Sequence, residues 1–382
     1  LKIFLSFLQS PKKHPIPAYD FWQYYIKSGI EEAGHEWTEH TGVDWAYGLV
    51  PQSKAELTKW KDEAWSKTLS RLKQHPVDLF LSYLYPEQID TSAIQQIKKL
   101  GIPCVNFYCD NVRQFKTAPA QFNVFNLNWV PEYKAVKMYQ KGGHRFVNLP
   151  MPMWIPPERR TARQEGNKQV TFIGSHDVQR LRFFEEVIDK APAMDLNIYG
   201  NGWNANSVKP TLPPPNYSAI KKTLNQFTFL YEYGPMAYMR KMAQRDILTT
   251  VSSALAAKVN GIINFDMYNK LTAESMITVG VNRYPSFRFP LNKPDTYSRL
   301  RDIEAPMLGA CYLTEYTDGL EELYDIDKEI AVYKNADEFM EKVDMLSGNS
   351  SLRKKLRSSG QKRALTDHSI PQSINKIIER LK

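Results

Sequence analysis

At 382 residues the chain is too long for one typical core, so two domains are the default. An apolar fraction of 42% with 24% charged residues excludes a disordered chain, and no apolar run approaches the roughly 20 residues that span a bilayer. The net charge of +9 is spread along the sequence; it favours anionic ligands such as nucleotide diphosphates, lipid phosphates or acidic glycans, and no motif for nucleic acid accompanies it.

The first strand is expected at Lys2–Leu8, a short run of apolar, aromatic and β-branched residues. A Pro-rich loop from Gln9 to Pro17 follows, with His14 in it, then a helix from Tyr19 to Ala33 closed by Gly34. Further strands are expected at Glu36–Thr38, Val77–Tyr83, Pro103–Tyr108, Phe122–Leu127 and Phe146–Leu149, with helices at Ala55–Gln74, Thr91–Leu100 and Tyr133–Gln140 between them. Alternating strands and helices predict a doubly wound parallel sheet over residues 1–150. Pro150, Pro152, Pro156 and Pro157 block regular structure and, with the polar run to Lys168, predict a linker over 151–168.

The pattern then restarts. Val170–Ile173 is a strand, Val178–Lys190 a helix and Asp195–Tyr199 a strand. Pro213, Pro214 and Pro215 predict a loop, and Tyr238–Val259 has helical spacing with basic residues Arg240, Lys241 and Arg245. Ile262–Phe265 and Ile277–Asn282 read as strands. The tail reads as helices at Asp337–Leu346, Ser351–Leu365 and Ser369–Leu381. A second doubly wound domain is therefore expected over 169–365, and a last helix over 366–382 that returns to the first domain.

The most informative stretch is Asp295–Tyr333, which reads as helix, glycine turn, buried strand, acidic helix and strand. Arg301 and Glu304 share one helix face. Arg301 is either half of an ion pair with Glu304 or a planar fork for phosphate, and Glu304 can accept hydrogen bonds from two adjacent hydroxyls. The following strand carries Thr314 and Glu315 to its carboxyl end, where open α/β sheets bind ligands. Gly174 and Ser175 lie between a strand and a helix, a place where backbone amides receive phosphate, and Arg180 adds charge in that helix's first turn. Gly200 and Gly202 form another strand-end turn. Asp110 closes a strand of the first domain, where it either caps the next turn or acts as a base on an acceptor hydroxyl.

These residues resemble a family. Arg301–Pro306, Gly309, Leu313–Thr317, Leu320–Leu323 and Lys328–Tyr333 are similar to nucleotide-sugar glycosyltransferases of the two-Rossmann-domain type, GT-B, and within them to the bacterial spore-maturation group. Ile102–Asp110, the linker prolines, Phe172–Ser175 with Arg180, and Tyr199–Trp203 extend the likeness. The resemblance implies two Rossmann-like domains facing across a cleft, an N-terminal acceptor domain and a C-terminal donor domain. It implies transfer from a nucleotide-diphosphate sugar to a glycan, lipid-linked or protein acceptor in bacterial surface glycan, glycolipid or glycoprotein synthesis. It places Glu304 on the donor ribose; Asp110 and Arg301, from their own positions, are the catalytic candidates. Gly174, Ser175, Arg180, Gly200, Gly202 and Thr314 complete the donor site. A second glutamate of the wider family falls at Thr296 here, which leaves retaining or inverting stereochemistry open.

No cluster of His, Cys, Asp or Glu has metal-ligand spacing, so no metal or other cofactor is expected beyond the donor itself. Cys104, Cys109 and Cys311 form no CxxC pair, and their odd number argues against a disulfide framework. No signal peptide is visible and a cytoplasmic protein is expected, at most peripheral at the inner face of a membrane through the basic helix near Arg240. The competing readings are a sugar-nucleotide epimerase on the same fold and a non-catalytic binding subunit.

Overall fold

The computed structural model describes residues 1–12, 14, 19–50, 52–161, 166–203, 219–244 and 250–382. The expected loop at Pro213–Pro215, the residue Arg245 and parts of the loops at 9–17 and 158–168 lie outside the described residues. The chain divides into two compact units, Leu1–Ile155 with Ala364–Lys382, and Pro156–Arg363.

The first unit runs β1 (Lys2–Ser6), α1 (Tyr19–Glu32), β2 (Glu36–Thr38), α2 (Lys54–Gln74), β3 (Leu79–Tyr83), α3 (Thr91–Lys99), β4 (Cys104–Phe107), α4 (Asn111–Gln114), β5 (Leu127–Val130), α5 (Val136–Lys141) and β6 (Phe146–Asn148). Its six strands are parallel in the order β2-β1-β3-β4-β5-β6. The central strands are apolar along their length because helices cover both faces; every residue of β3 is buried. The strand expected over Phe122–Leu127 is instead a 3-10 turn over Ala120–Val124 followed by β5. Pairing with β4 begins only where Asn126 N donates to Cys104 O (2.8 Å), because the Asn128 side chain takes the Phe122 carbonyl.

The second unit runs β7 (Val170–Ile173), α6 (Val178–Lys190), β8 (Leu196–Tyr199), α7 (Ala219–Gln244), α8 (Ser253–Ala256), β9 (Val259–Gly261), α9 (Phe265–Glu274), β10 (Ile277–Gly280), α10 (Arg301–Met307), β11 (Tyr312–Glu315), α11 (Leu320–Leu323), β12 (Ala331–Tyr333), α12 (Ala336–Gly348) and α13 (Ser350–Asp367). The parallel order is β12-β11-β10-β7-β8-β9. Renumbered within the unit this is the 3-2-1-4-5-6 order of a dinucleotide-type fold, and the order reverses between β7 and β10. The core packs Phe172, Phe183, Phe184 and Trp203 against Val279, Leu313 and Tyr333.

The strand expected at Ile262–Phe265 lies three residues earlier. Gly261 (φ +90°) turns the chain out of the sheet, and the Asn264 side chain then caps α9 by accepting from Met267 N at 2.8 Å. The helix expected across Tyr238–Val259 is broken into the end of α7, residues outside the described set, and α8.

The division between units falls inside α13, and α14 (Ile370–Leu381) belongs to the first. There it packs on α1, where Gly29 leaves room: a Cβ on it would stand 2.4 Å from Ile370 Cγ2. Pro150 and Pro152 end the first unit and Pro156 opens the second.

Candidate active site

The strand order of the second unit reverses between β7 and β10, and at such a reversal open α/β sheets bind their ligands. At the carboxyl end of β7 the chain turns through Gly174, Ser175, His176 and Asp177 into α6. Backbone bonds stitch this turn to the end of β8: Gly174 N donates to Tyr199 O (2.8 Å) and His176 N to Asn201 O (2.8 Å). Trp203 Nε1 donates to Gly174 O at 2.7 Å. Gly200 permits the approach, since a Cβ there would lie 2.2 Å from Gly174 O, and its φ of +141° suits glycine. Gly202 (φ +86°) sits against His176 in the same way. Thus Gly174, Ser175, Gly200 and Gly202 come together in one turn cluster. The first amides of α6 are not open to a ligand, however. The Asp177 carboxylate already caps them, accepting from Gln179 N (2.9 Å) and Arg180 N (3.0 Å).

Positive charge gathers beside this turn. Arg180 is buried, donates from Nη1 to Ser175 O (2.8 Å), and pairs through Nε with Asp177 at 3.3 Å. Arg301 extends from α10 to donate to Ile173 O, the residue before Gly174, and its guanidinium lies over the Tyr268 ring at 5.2 Å. Arg299 donates from Nη2 to Arg283 O (2.5 Å), while its buried Nε has no hydrogen-bond partner among the described residues. Burial pushes the Arg180 guanidinium down to about 10; the charges of Arg299 and Arg301 push the same way, and Asp177 opposes them. Two further guanidinium groups thus act on Arg180, while Asp177 offsets Arg180, Glu304 acts on Arg301 and Glu315 feels Arg299. Burial lowers the pKa of Arg301 too, but its interactions with Tyr268, Tyr312 and Glu304 outweigh this, so it is raised.

Arg299 is absent from the sequence-based set. Its signal was present, since the segment reads Arg-Leu-Arg immediately before Asp302 and Glu304. The residue lies on the turn into α10 and not on a helix face, so periodicity does not select it.

Glu304 is buried and accepts a hydrogen bond from the Tyr268 hydroxyl of α9. Arg301 and Glu304 therefore meet on Tyr268, as their shared helix face requires. Burial, with the Glu304 charge acting the same way, raises the Tyr268 pKa against the pull of Arg301, and the phenol stays protonated.

Asp302, on the opposite side of α10, is a structural hub. Its carboxylate accepts from Tyr312 OH (2.8 Å), Ser298 Oγ (2.9 Å), Arg299 N (2.9 Å), Thr314 Oγ1 (3.0 Å) and Asn282 Nδ2 (3.1 Å). This corrects the expected role of Thr314. The residue is fully buried and its hydroxyl is spent on Asp302 and Asn282, so it supports the site from within and does not face a ligand. Glu315, also buried, pairs with Arg283 at 2.7 Å; burial raises its pKa and Arg283 opposes that shift. Thr296 forms an isolated antiparallel bridge with Arg283.

In the first unit, Asp110 follows β4 and stands before α4. Its side chain makes no cap hydrogen bond, so the capping reading fails; Arg113 lies 3.8 Å away. The cap is supplied by Glu132, just past β5, whose Oε2 accepts from Asn111 N (2.5 Å) and Val112 N (3.3 Å). Glu132 is buried, and its Oε1 has no partner among the described residues. Burial pushes its carboxyl up to about 8, with the Asp110 charge adding to the shift. Glu132 follows a strand as Asp110 does, and the strand-end position that marks Asp110 marks it equally. His14 is held by Asp44, with Nε2 to Oδ2 at 2.7 Å.

Among the described residues no group of three His, Cys, Asp or Glu side chains could hold a metal ion. No helix among them is long and apolar enough to cross a membrane.

Comparison with known proteins agrees with this architecture. A family model described as glycosyl transferase-like matches residues 179–379, just over half of the chain. Among solved structures, the chain resembles a glycosyltransferase from Rickettsia africae (TM-score 0.60, 11% identity, 100% of this chain and 97% of that one). It also resembles sucrose-phosphate synthase from Thermosynechococcus elongatus (TM-score 0.59, 10% identity, 100% and 98%). Anabaena HepE, solved in complex with UDP and glucose, gives a TM-score of 0.54 at 11% identity over 99% of each chain. At these identities the likeness concerns the fold, a pair of doubly wound domains. No curated protein matches the sequence significantly.

Proposed function

Because the chain belongs to the glycosyl transferase-like family, we propose that it moves a sugar from a nucleoside-diphosphate sugar to an acceptor hydroxyl. The observation that carries this reading is the triad Arg180, Arg299 and Arg301 beside the Gly174–Ser175 turn at the strand-order reversal. A pyrophosphate bound there relieves the repulsion that Arg299 and Arg301 exert on the buried Arg180, and the relief grows as negative charge develops on the departing diphosphate. That is electrostatic catalysis. Glu304 receives the ribose hydroxyls, held in place by Tyr268. Asp110 is the group that orients and deprotonates the acceptor hydroxyl. The UDP held by Anabaena HepE supports a nucleoside diphosphate as the leaving group. The arginines take the charge that a divalent cation would otherwise carry, so transfer proceeds in EDTA. The acceptor is a glycan, a lipid-linked sugar or a protein of the bacterial surface.

Calorimetric titration of the full chain against UDP, GDP, ADP and their sugars tests the reading. One of these should bind, and Arg299→Met should weaken it about 10- to 100-fold, the worth of a charge-assisted hydrogen bond to phosphate. Absence of any nucleoside-diphosphate binding refutes it. Incubating the bound sugar nucleotide without acceptor separates transfer from epimerisation: an epimerase interconverts the donor alone.

A further inference from the structure

Asp110 stands at the N-cap of α4, the position where an Asp side chain accepts from the first helical amides. Asp90 before α3 and Asp177 before α6 both do so. The first accepts from Ala93 N at 3.0 Å and the second from Gln179 N at 2.9 Å. Asp110 makes no such bond. The first two amides of α4, those of Asn111 and Val112, go instead to Glu132 Oε2, at 2.5 and 3.3 Å.

Glu132 reaches them from the neighbouring strand. It follows β5, which pairs with β4 in parallel, so the two carboxylates stand at adjacent carboxyl ends of one sheet. The turn between them is pinned from two further sides. Asn111 Nδ2 donates to Tyr108 O (3.0 Å), and the Tyr139 hydroxyl of α5 donates to Asn111 Oδ1 (2.9 Å).

The two carboxylates differ in setting. Glu132 is 1% exposed, whereas the Asp110 side chain keeps 24% of its surface. Arg113, at 3.8 Å, is beyond hydrogen-bond distance of Asp110. Burial and the charge of Asp110 push the Glu132 carboxyl up to about 8, so at neutral pH the buried member of the pair holds the proton. A cap on α4 could have come from Asp110 itself, at the surface. Supplying it from a buried glutamate leaves the Asp110 carboxylate with no hydrogen-bonding duty in its own turn.

We propose that Glu132 is a positioning residue for the acceptor: by capping α4 in place of Asp110, it keeps the Asp110 carboxylate free to face an acceptor hydroxyl. This rests on Asp110 being the acceptor's base, and it carries a consequence of its own. With the Glu132 acceptor removed, the orphaned amides of α4 should draw Asp110 inward as their cap.

Carbodiimide coupling of glycine ethyl ester to the full chain, read by peptide mass spectrometry, measures how free the Asp110 carboxylate is without donor or acceptor. Glu132→Met fills the buried position but accepts no hydrogen bond. Labelling of Asp110 should then fall about fivefold, the population shift that one cap supports. Glu132→Gln keeps a carbonyl for the two amides and should label as the parent does. Glu132→Ala, which leaves more room for Asp110, replaces the Met variant if that variant shows no cooperative melt. Hydrolysis of UDP-glucose, GDP-mannose and ADP-glucose, with water as the acceptor, then reads the role in transfer. The Met variant and Asp110→Asn should both slow it, and Glu132→Gln should restore the parent rate. Equal labelling of Asp110 in the parent and the Met variant overturns the proposal. So does a Met variant that hydrolyses donor at the parent rate while Asp110→Asn is slow. Hydrolysis unmoved by Asp110→Asn, with the labelling shift present, refutes the base reading and the positioning role with it.

Discussion

Replacing Gly200 with alanine tests whether the turn cluster is built for close backbone approach. The added Cβ would fall 2.2 Å from Gly174 O and 2.6 Å from Gly174 C. Both atoms are backbone, so no rotamer change relieves the overlap. The φ of +141° adds strain for any residue with a Cβ, about 1–2 kcal/mol. Forcing the backbone apart costs a further 1–3 kcal/mol, roughly as overpacking does. The sum, about 2–5 kcal/mol, corresponds to a fall in melting temperature of roughly 4–20 °C for a unit of this size. Gly202→Ala is the internal control. Its φ is also positive, but the nearest atom is the His176 Cβ at 3.2 Å, so the neighbouring turn need give by only about a few tenths of an ångström. The second variant should lose about 1–2 kcal/mol, mostly backbone strain. Thermal unfolding of the full chain measures stability, and titration with the bound nucleoside diphosphate measures the site. Gly200→Ala displaces the Gly174–Ser175 turn and should weaken ligand binding at least tenfold. If Gly200→Ala melts within 2 °C of the parent and binds normally, or if Gly202→Ala is the more damaging, the close-approach reasoning is wrong.

Asp302→Ala strips the partner from buried donors on Tyr312, Thr314 and Asn282. At about 1–3 kcal/mol for each orphaned group it should cost at least about 3 kcal/mol in denaturant unfolding, whereas Thr314→Val, which removes one hydroxyl, should cost about 1 kcal/mol and leave nucleotide affinity unchanged. Tyr268→Phe should weaken nucleotide binding severalfold in the same titration and cost about 1–3 kcal/mol in unfolding, because it takes a hydrogen bond from the buried Glu304 carboxylate. Glu132 titrates near 8 in the folded chain, above its ordinary value of 4.5. Between those pH values the folded state holds a proton that the unfolded chain has lost, so stability should fall as pH rises through this window. Glu132→Gln should flatten that fall in a melting-temperature series from pH 5 to pH 9; an unchanged slope would show that Glu132 does not carry it.

Much of the architecture was legible because parallel strands covered on both faces read as continuous apolar runs. Lys2–Ser6, Leu79–Tyr83, Val170–Ile173 and Tyr312–Glu315 all lie where such runs occur. The two misplaced strands share one cause. Phe122–Leu127 and Ile262–Phe265 have the composition of strands, but backbone carbonyls and caps are claimed there by Asn128 and Asn264. A side-chain amide that competes for backbone groups leaves no trace in apolar periodicity.

The candidate site divides along the same line. Helical spacing puts Arg301 and Glu304 on one side of α10 and Asp302 nearly opposite, and the structure sends the first pair to Tyr268 and the third to Tyr312 and Thr314. Spacing therefore told which residues act together, but not what they act on, because Tyr268 and Tyr312 arrive from other elements. Thr314 shows the cost of that gap. Its position at a strand's carboxyl end is the one from which ligands are reached, yet β11 lies beside the strand-order reversal and not at it. Arg299, Arg180 and Ile173 are at the reversal, and only the order β11-β10-β7-β8 distinguishes them. Strand order arises from crossovers between distant segments, so this gathering of arginines became visible when the fold fixed which strand ends are neighbours.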